Sequence, residues 1–148
     1  MKKGTTEWLE FANRDLEAAR ILLNSSYLAN VVLFHSQQCI EKCLKAYLEE
    51  NAIRIPKIHS VVKLYSMIPN DDKLSFNLKE DELDKVDLIY IDTRYPSGFG
   101  LLPSGFPADT DAKEIFEVAK MVYTRTIEML DVHLSGNTSK PSSARCGI

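Results

Sequence analysis

Apolar residues recur at three- and four-residue intervals along most of the chain, the spacing that lines one face of an α-helix. Trp8, Leu9, Ala12, Leu16, Ala19 and Leu23 share one such stripe, widened by Phe11 and Leu22, with Glu10, Asn13, Arg14, Glu17 and Arg20 between them. Thr5 or Thr6 followed by Glu7 predicts its start: a capping hydroxyl, then an acid at the positive end of the helix dipole. Asn24, Ser25 and Ser26 end it, because their side chains compete for backbone hydrogen bonds. A longer pattern runs from about Leu28 to Asn51 and is apolar around much of its girth between Val31 and Phe34. At about 100° per residue its Leu33, Ile40, Cys43, Leu44 and Tyr47 share one arc, and Gln38, Glu41, Lys42 and Lys45 the opposite one.

Pro56 disfavours helix at Ile55. His59 or Ser60 can then cap a short third helix that buries Val61, Leu64, Tyr65 and Ile68, and that Pro69, Asn70, Asp71 and Asp72 stop. Residues 73–79 give no clear period. A fourth helix is predicted from Glu80 to about Ile91, with Leu83, Val86 and Tyr90 in register. Residues 92–108 hold three of the chain's six prolines and three of its six glycines, which excludes continuous helix. Tyr95, Phe99, Leu101, Leu102 and Phe106 make this loop too apolar for plain disorder, so it is expected to pack on something, a partner chain included. Asp111 and Glu114 form a capping box for a last helix through Ala112, Ile115, Phe116, Ala119, Val122, Tyr123, Ile127 and Leu130, ended by Gly136. The expected fold is all-α: an up-and-down bundle of four to five helices with a long Pro/Gly-rich loop before the last. One domain over residues 1–135 is expected, with 136–148 a disordered tail.

Composition narrows the class. A chain of 148 residues can bury one sizeable core, and 45% hydrophobic with 26% charged residues is ordinary for a globular protein. A formal charge of −3 argues against a surface built to coat nucleic acid, so no DNA partner is expected. No apolar run reaches a membrane span, and no apolar segment follows Lys2 and Lys3 as in a signal peptide, so a cytoplasmic protein is expected. Three cysteines, an odd number, do not suggest a disulfide framework; Cys39 and Cys43 lie four apart in a helix and Cys146 in the tail.

The loud catalytic motifs are absent: no glycine-rich phosphate loop, no HExxH and no paired CxxC. His35, Cys39 and Cys43 could face one way as metal ligands, but nothing signals the further ligands a site needs. The cysteines are therefore read as core residues, and no metal or cofactor is expected. On spacing alone Gln38, Glu41, Lys42 and Lys45 form a solvated face with Glu41 and Lys45 paired at i,i+4; the alternative is an anion-binding or subunit-contact surface. Arg54 and His59 flank Pro56 at Arg-x4-His spacing, and His59 could equally be a cap. Arg94, beside Tyr95 at a helix end, suits phosphate or carboxylate binding, or else ties the loop to the carbonyls ending the preceding helix.

Four segments in order resemble one family. Gln38, Glu41-Lys42 and Lys45-Ala46 are similar to the second-helix signature of HEPN domains. Ile58-His59-Ser60 with Val61 and Leu64 resembles the element that follows it there. Tyr90 to Pro96 is similar to a Tyr…Arg-Tyr-Pro segment, and Ala12 to Ala19 to a first-helix pattern; the resemblance covers nearly Glu7 to Leu130. The resemblance implies a dimeric helical bundle, related to the substrate-binding subunit of small nucleotidyltransferases. It implies a minimal nucleotidyltransferase as partner in a two-component, toxin–antitoxin-like system, and a nucleotide or RNA as ligand. Lys42, Lys45, His59, Arg94 and Tyr95 are then the candidate ligand-binding residues. Many HEPN proteins are metal-independent ribonucleases with an Arg followed four to six residues later by a His near the start of a late helix. Here the histidine after Arg94 is His133, and Arg54/His59 has the spacing but lies between the second and third helices. The expectation is a binding module, with a His59, Arg54 or Arg94 endoribonuclease as the rival and a purely structural dimer as the third possibility.

Overall fold

The computed structural model describes residues 1–92 and 109–137, with side chains at 1–90 and 109–131. Helices α1 (Lys3–Leu22), α2 (Ala29–Glu50), α3 (Val61–Ser66), α4 (Asn70–Phe76), α5 (Glu80–Asp92) and α6 (Asp109–Asn137) follow in order, with one 3-10 turn at Ser26–Leu28. Among the described residues that is six α-helices, where the hydrophobic period predicts four to five. The segment 92–108 beyond Asp92, with Arg94 and Tyr95, and the tail beyond Asn137, with Cys146, lie outside the described residues.

α2 is the central element. It packs chiefly on α1 and α6 and also touches α3 and α5. Leu33, Cys39, Ile40, Cys43, Leu44, Ala46 and Leu48 are wholly buried, so its apolar girth meets neighbours on several sides. α1 runs antiparallel to it, since Lys2 meets Glu50 at one end and Asp15 meets His35 further along. α6 runs parallel, since Asp109 accepts from Ser26 at its start while Tyr47 and Leu130 share a cleft near its end.

Three boundaries differ from the sequence expectation, each for a tertiary reason. α1 starts before the threonines because Thr5 is buried and spends its hydroxyl on Glu50 Oε1 at 2.8 Å, where the Lys2 amide also donates at 2.9 Å. Burial pushes the Glu50 carboxyl up, but these two donors and the charges of the N-terminus and Lys2 outweigh it, and the pKa falls below its ordinary value. This clasp therefore stabilises the fold above the ordinary carboxylate range and is lost as pH drops through the lowered value.

The Pro69–Asp72 stretch does stop α3, and it also starts α4. Pro69 has φ −57°, pre-set for a helix start, and Asp71 and Asp72 fall in the first turn at the positive dipole end. Asn77 closes α4 at φ 51°, a left-handed conformation that asparagine tolerates. At the last helix Asp111 is not the cap. α6 begins at Asp109, and Asp111 and Glu114 instead take the Lys85 ammonium at 3.3 and 3.0 Å, fastening α5 to α6. Burial alone would lower the Lys85 pKa; Glu114 and Asp111 together raise it.

Gly4 lies in the first turn of α1, where an added Cβ would stand 3.0 Å from Glu49 Cδ, the far end of a flexible side chain. Gly4→Ala should therefore raise stability, by up to about 1 kcal/mol, as Glu49 swings aside and the helix loses a glycine. A urea midpoint at or below that of the parent protein would show that Glu49 cannot move. Among the described residues no helix is long and apolar enough to cross a membrane.

Candidate functional site

The polar arc of α2 is not a solvated face. Glu41 is 3% exposed and Lys45 6%, because α1, α3 and α5 close over this side of the helix. Lys45 Nζ donates to Glu41 Oε2 at 2.9 Å, the i,i+4 pair expected from spacing, but in a buried setting. Its ammonium also stands 5.4 Å from the centroid of the Trp8 ring on α1. Gln37, 1% exposed, donates to Glu41 Oε1 at 3.3 Å and to the His59 carbonyl at 3.4 Å.

Glu41 thus sits among donors, and the remaining one is His59. Its Nδ1 lies 3.3 Å from both carboxylate oxygens. A carboxylate can only accept, so Nδ1 carries the proton, and Nε2 is left as the ring's other polar atom. The imidazole side chain is 57% exposed while the carboxylate holding it is 4% exposed. On one face the ring stacks on Tyr90 of α5, with centroids 5.3 Å apart and planes 16° from parallel. A histidine held at one nitrogen by a buried acid, and open at the other, can hydrogen-bond an anion or transfer a proton.

Asp87 fixes where His59 stands. Its carboxylate accepts from Ser60 Oγ at 2.7 Å, from the Val61 amide at 2.7 Å and from the Val62 amide at 3.4 Å. Ser60 meanwhile caps α3 as expected, accepting from the Lys63 amide at 3.2 Å. One α5 acid therefore satisfies two orphan donors of α3 while Ser60 takes a third, and Tyr90, one turn on, stacks on the residue just before the cap. Gln37 and Asp87 escape sequence reasoning, since nothing local marks a glutamine or a mid-helix aspartate as a partner for a distant loop.

Lys42 goes elsewhere. It donates to Asp15 on α1, whose other oxygen lies 2.8 Å from His35 Nδ1. Gln38 donates to the Gln37 side-chain oxygen at 2.8 Å. The four residues of the polar arc are thus divided between two networks, one on Glu41 and one on Asp15. Arg54 is exposed. Arg94 and Tyr95 fall outside the described residues, two and three positions beyond the end of α5.

Cys39 and Cys43 are fully buried free thiols, and His35 turns to Asp15. The Cys39 thiol's hydrogen bond with Cys43, then burial, pushes its pKa well above the ordinary value, so it stays protonated and inert. Among the described residues no three His, Cys, Asp or Glu side chains converge to hold a metal ion.

A second cleft, of about 320 Å³, lies between the end of α2, α4 and α6, lined by Tyr47, Asp72, Ser75, Arg125, Glu128 and Met129 among others. Its polar groups are largely committed internally. Tyr47 donates to Asp72 and Arg125 to the Phe76 carbonyl. Burial first, then the contact with Asp72, pushes the Tyr47 phenol pKa upward.

Residues 5–130 match the HEPN domain family. Putative toxin MJ1304 of Methanocaldococcus jannaschii is 32% identical over 98 residues, which are 62% of this chain and 63% of that protein. The chain thus spans somewhat under two thirds of that relative. Among solved structures, ST0689, an archaeal HEPN homologue, superposes with a TM-score of 0.62 at 25% identity, over 87% of this chain and 98% of the other. TT1696 from Thermus thermophilus does so with a TM-score of 0.67 at 24% identity, over 86% and 98%. At that identity the second likeness speaks to fold alone.

Proposed function

The chain belongs to the HEPN family, and from that premise we propose that it is the binding module of a two-component, toxin–antitoxin-like pair, taking a nucleotide at His59. The observation that carries this is the Glu41–His59–Tyr90 arrangement: a buried acid fixes Nδ1, a tyrosine fixes the ring plane, and Nε2 remains for a phosphate oxygen. With Nδ1 protonated, the neutral ring's Nε2 offers only a lone pair, so it is the imidazolium form that donates to the phosphate oxygen, a charge-assisted bond worth roughly twice a neutral one. Lys45 acts through Glu41, as a positioning residue and counter-charge rather than a ligand contact, and Lys42 contributes through the Asp15 network. Arg94 and Tyr95 follow α5 in sequence shortly after Tyr90 and complete the candidate set. The toxin name carried by the relative from M. jannaschii supports the two-component part, with a minimal nucleotidyltransferase as partner and a homodimer as the assembly.

Calorimetric titration with ATP tests the site. The parent protein should bind, and His59→Ala should bind about tenfold or more weakly, the loss of one charge-assisted hydrogen bond. Equal affinity in the two proteins, or none in the parent, removes the reading.

A second reading rests on the same geometry, because a carboxylate-held histidine is also how a general base is oriented. An endoribonuclease would use His59 as base or acid and Arg54 or Arg94 to neutralise the phosphorane. Single-stranded RNA incubated with chelator present separates the two. A binding module leaves the RNA intact, whereas cleavage by the parent protein that disappears in His59→Ala would establish the nuclease.

A further inference from the structure

We propose that a groove between the start of α1 and the end of α2, not lined by His59, is a docking point for an arginine side chain of a partner protein. The groove encloses about 390 Å³ and is lined by Gly4, Glu7, Trp8 and Phe11 of α1 and Glu49 of α2. Gly4 keeps its floor open, since a Cβ there would meet the Glu49 side chain.

Its walls are aromatic and two acids give it negative charge; Lys2 Nζ donates to the Glu49 backbone carbonyl at 3.1 Å but pairs with neither carboxylate. Other acids on these two helices are engaged: Glu10 with Arg14 at 3.5 Å, Glu17 with Arg20 at 3.2 Å, Asp15 with Lys42, Glu41 with Lys45, and Glu50 with the Lys2 amide. Among the described residues the Glu7 and Glu49 carboxylates have neither an ion pair nor a hydrogen bond. The same two rings already serve as cation platforms, with Lys45 5.4 Å from the Trp8 centroid and Arg14 and Lys42 5.5 and 5.9 Å from that of Phe11.

A phosphate-bearing ligand would meet two bare carboxylates here and be repelled. A guanidinium on an apolar stem suits every wall: it stacks on aromatic faces, and its planar fork pairs with carboxylates. The volume accommodates one long side chain, and both acids are reachable from solvent, which is the geometry of an interface pocket rather than a buried ligand cavity. The occupant is therefore an arginine presented on a partner's surface.

Trp8 is the chain's single tryptophan, so intrinsic fluorescence reports on this groove and on the Lys45 ammonium beside the ring, which the citrulline control and the Glu7 and Glu49 variants separate. The probe is a blocked, glycine-flanked arginine peptide, with the neutral citrulline peptide as its isostere. The arginine peptide should change Trp8 emission saturably, and the citrulline peptide should not. Glu7→Gln and Glu49→Gln should each weaken binding up to roughly fivefold, the upper range for an exposed ion pair. Neither carboxylate holds the fold together, so both variants should melt with the parent by circular dichroism. The inference fails if no saturable change occurs, if citrulline matches arginine, or if both variants bind like the parent. It also fails if Trp8 emission depends on protein concentration without peptide, since a second copy would then fill the groove.

Discussion

Glu41→Leu is expected to lower unfolding free energy by about 3–5 kcal/mol, read from urea midpoints at constant slope. The loss comes from what remains rather than from what is removed. Lys45 Nζ, with its side chain 8% exposed, would keep its charge in a dry setting with only the Trp8 face nearby. Gln37 would lose an acceptor, and His59 the group that orders its ring. For a domain with a total stability of roughly 5–15 kcal/mol this is a large fraction. The double variant Glu41→Leu with Lys45→Met should recover most of the loss, because a buried ion pair exchanged for apolar groups of similar volume is often neutral or better. If the single variant costs less than about 1 kcal/mol, the range of a surface pair, the network is wetter than its geometry indicates.

Asp87→Ala should cost about 2–3 kcal/mol, since the start of α3 loses its acceptor for Ser60 and for two backbone amides in a half-buried setting. The loss should be local as well as global. Amide exchange at Val61 and Val62 should accelerate ahead of that in the middle of α2, because α3 is short and is held there by one carboxylate. Asp87→Asn keeps one acceptor oxygen and should lose less. Uniform acceleration across α2 and α3 would mean that Asp87 adds to overall stability without specifically holding His59 in place.

These two acids also mark where sequence patterning stops being informative. α2 is legible to within a residue at each end, because its period is long, its flanks are polar, and Pro56 and the Ser60 cap fall where local rules place them. α4 is hidden because Pro69–Asp72 carries stop and start signals at once, and only packing of Phe76 against Tyr47 and Tyr65 shows which applies. At the site, spacing correctly pairs Glu41 with Lys45, yet the same spacing describes a wet helix face. Burial of that pair depends on α1, α3 and α5, which a one-helix pattern does not contain. The link from Glu41 to His59 crosses 18 positions and a proline-containing linker, so it exists only in the folded chain. Lys42 shows the converse: one position from Glu41, it points to a different acid on a different helix.

The central claim is that Glu41 holds His59 by Nδ1 so that Nε2 meets a phosphate. Nitrogen-15 spectra of histidine-labelled protein during an ATP titration test it most directly, with the three histidines of the chain resolved by His35→Gln and His59→Gln variants. Free protein should show His59 protonated at Nδ1, and added ATP should move its Nε2 resonance saturably while leaving that of His35 in place. An Nε2-protonated neutral ring in the free protein, or a His59 signal that ATP leaves unmoved, would contradict it.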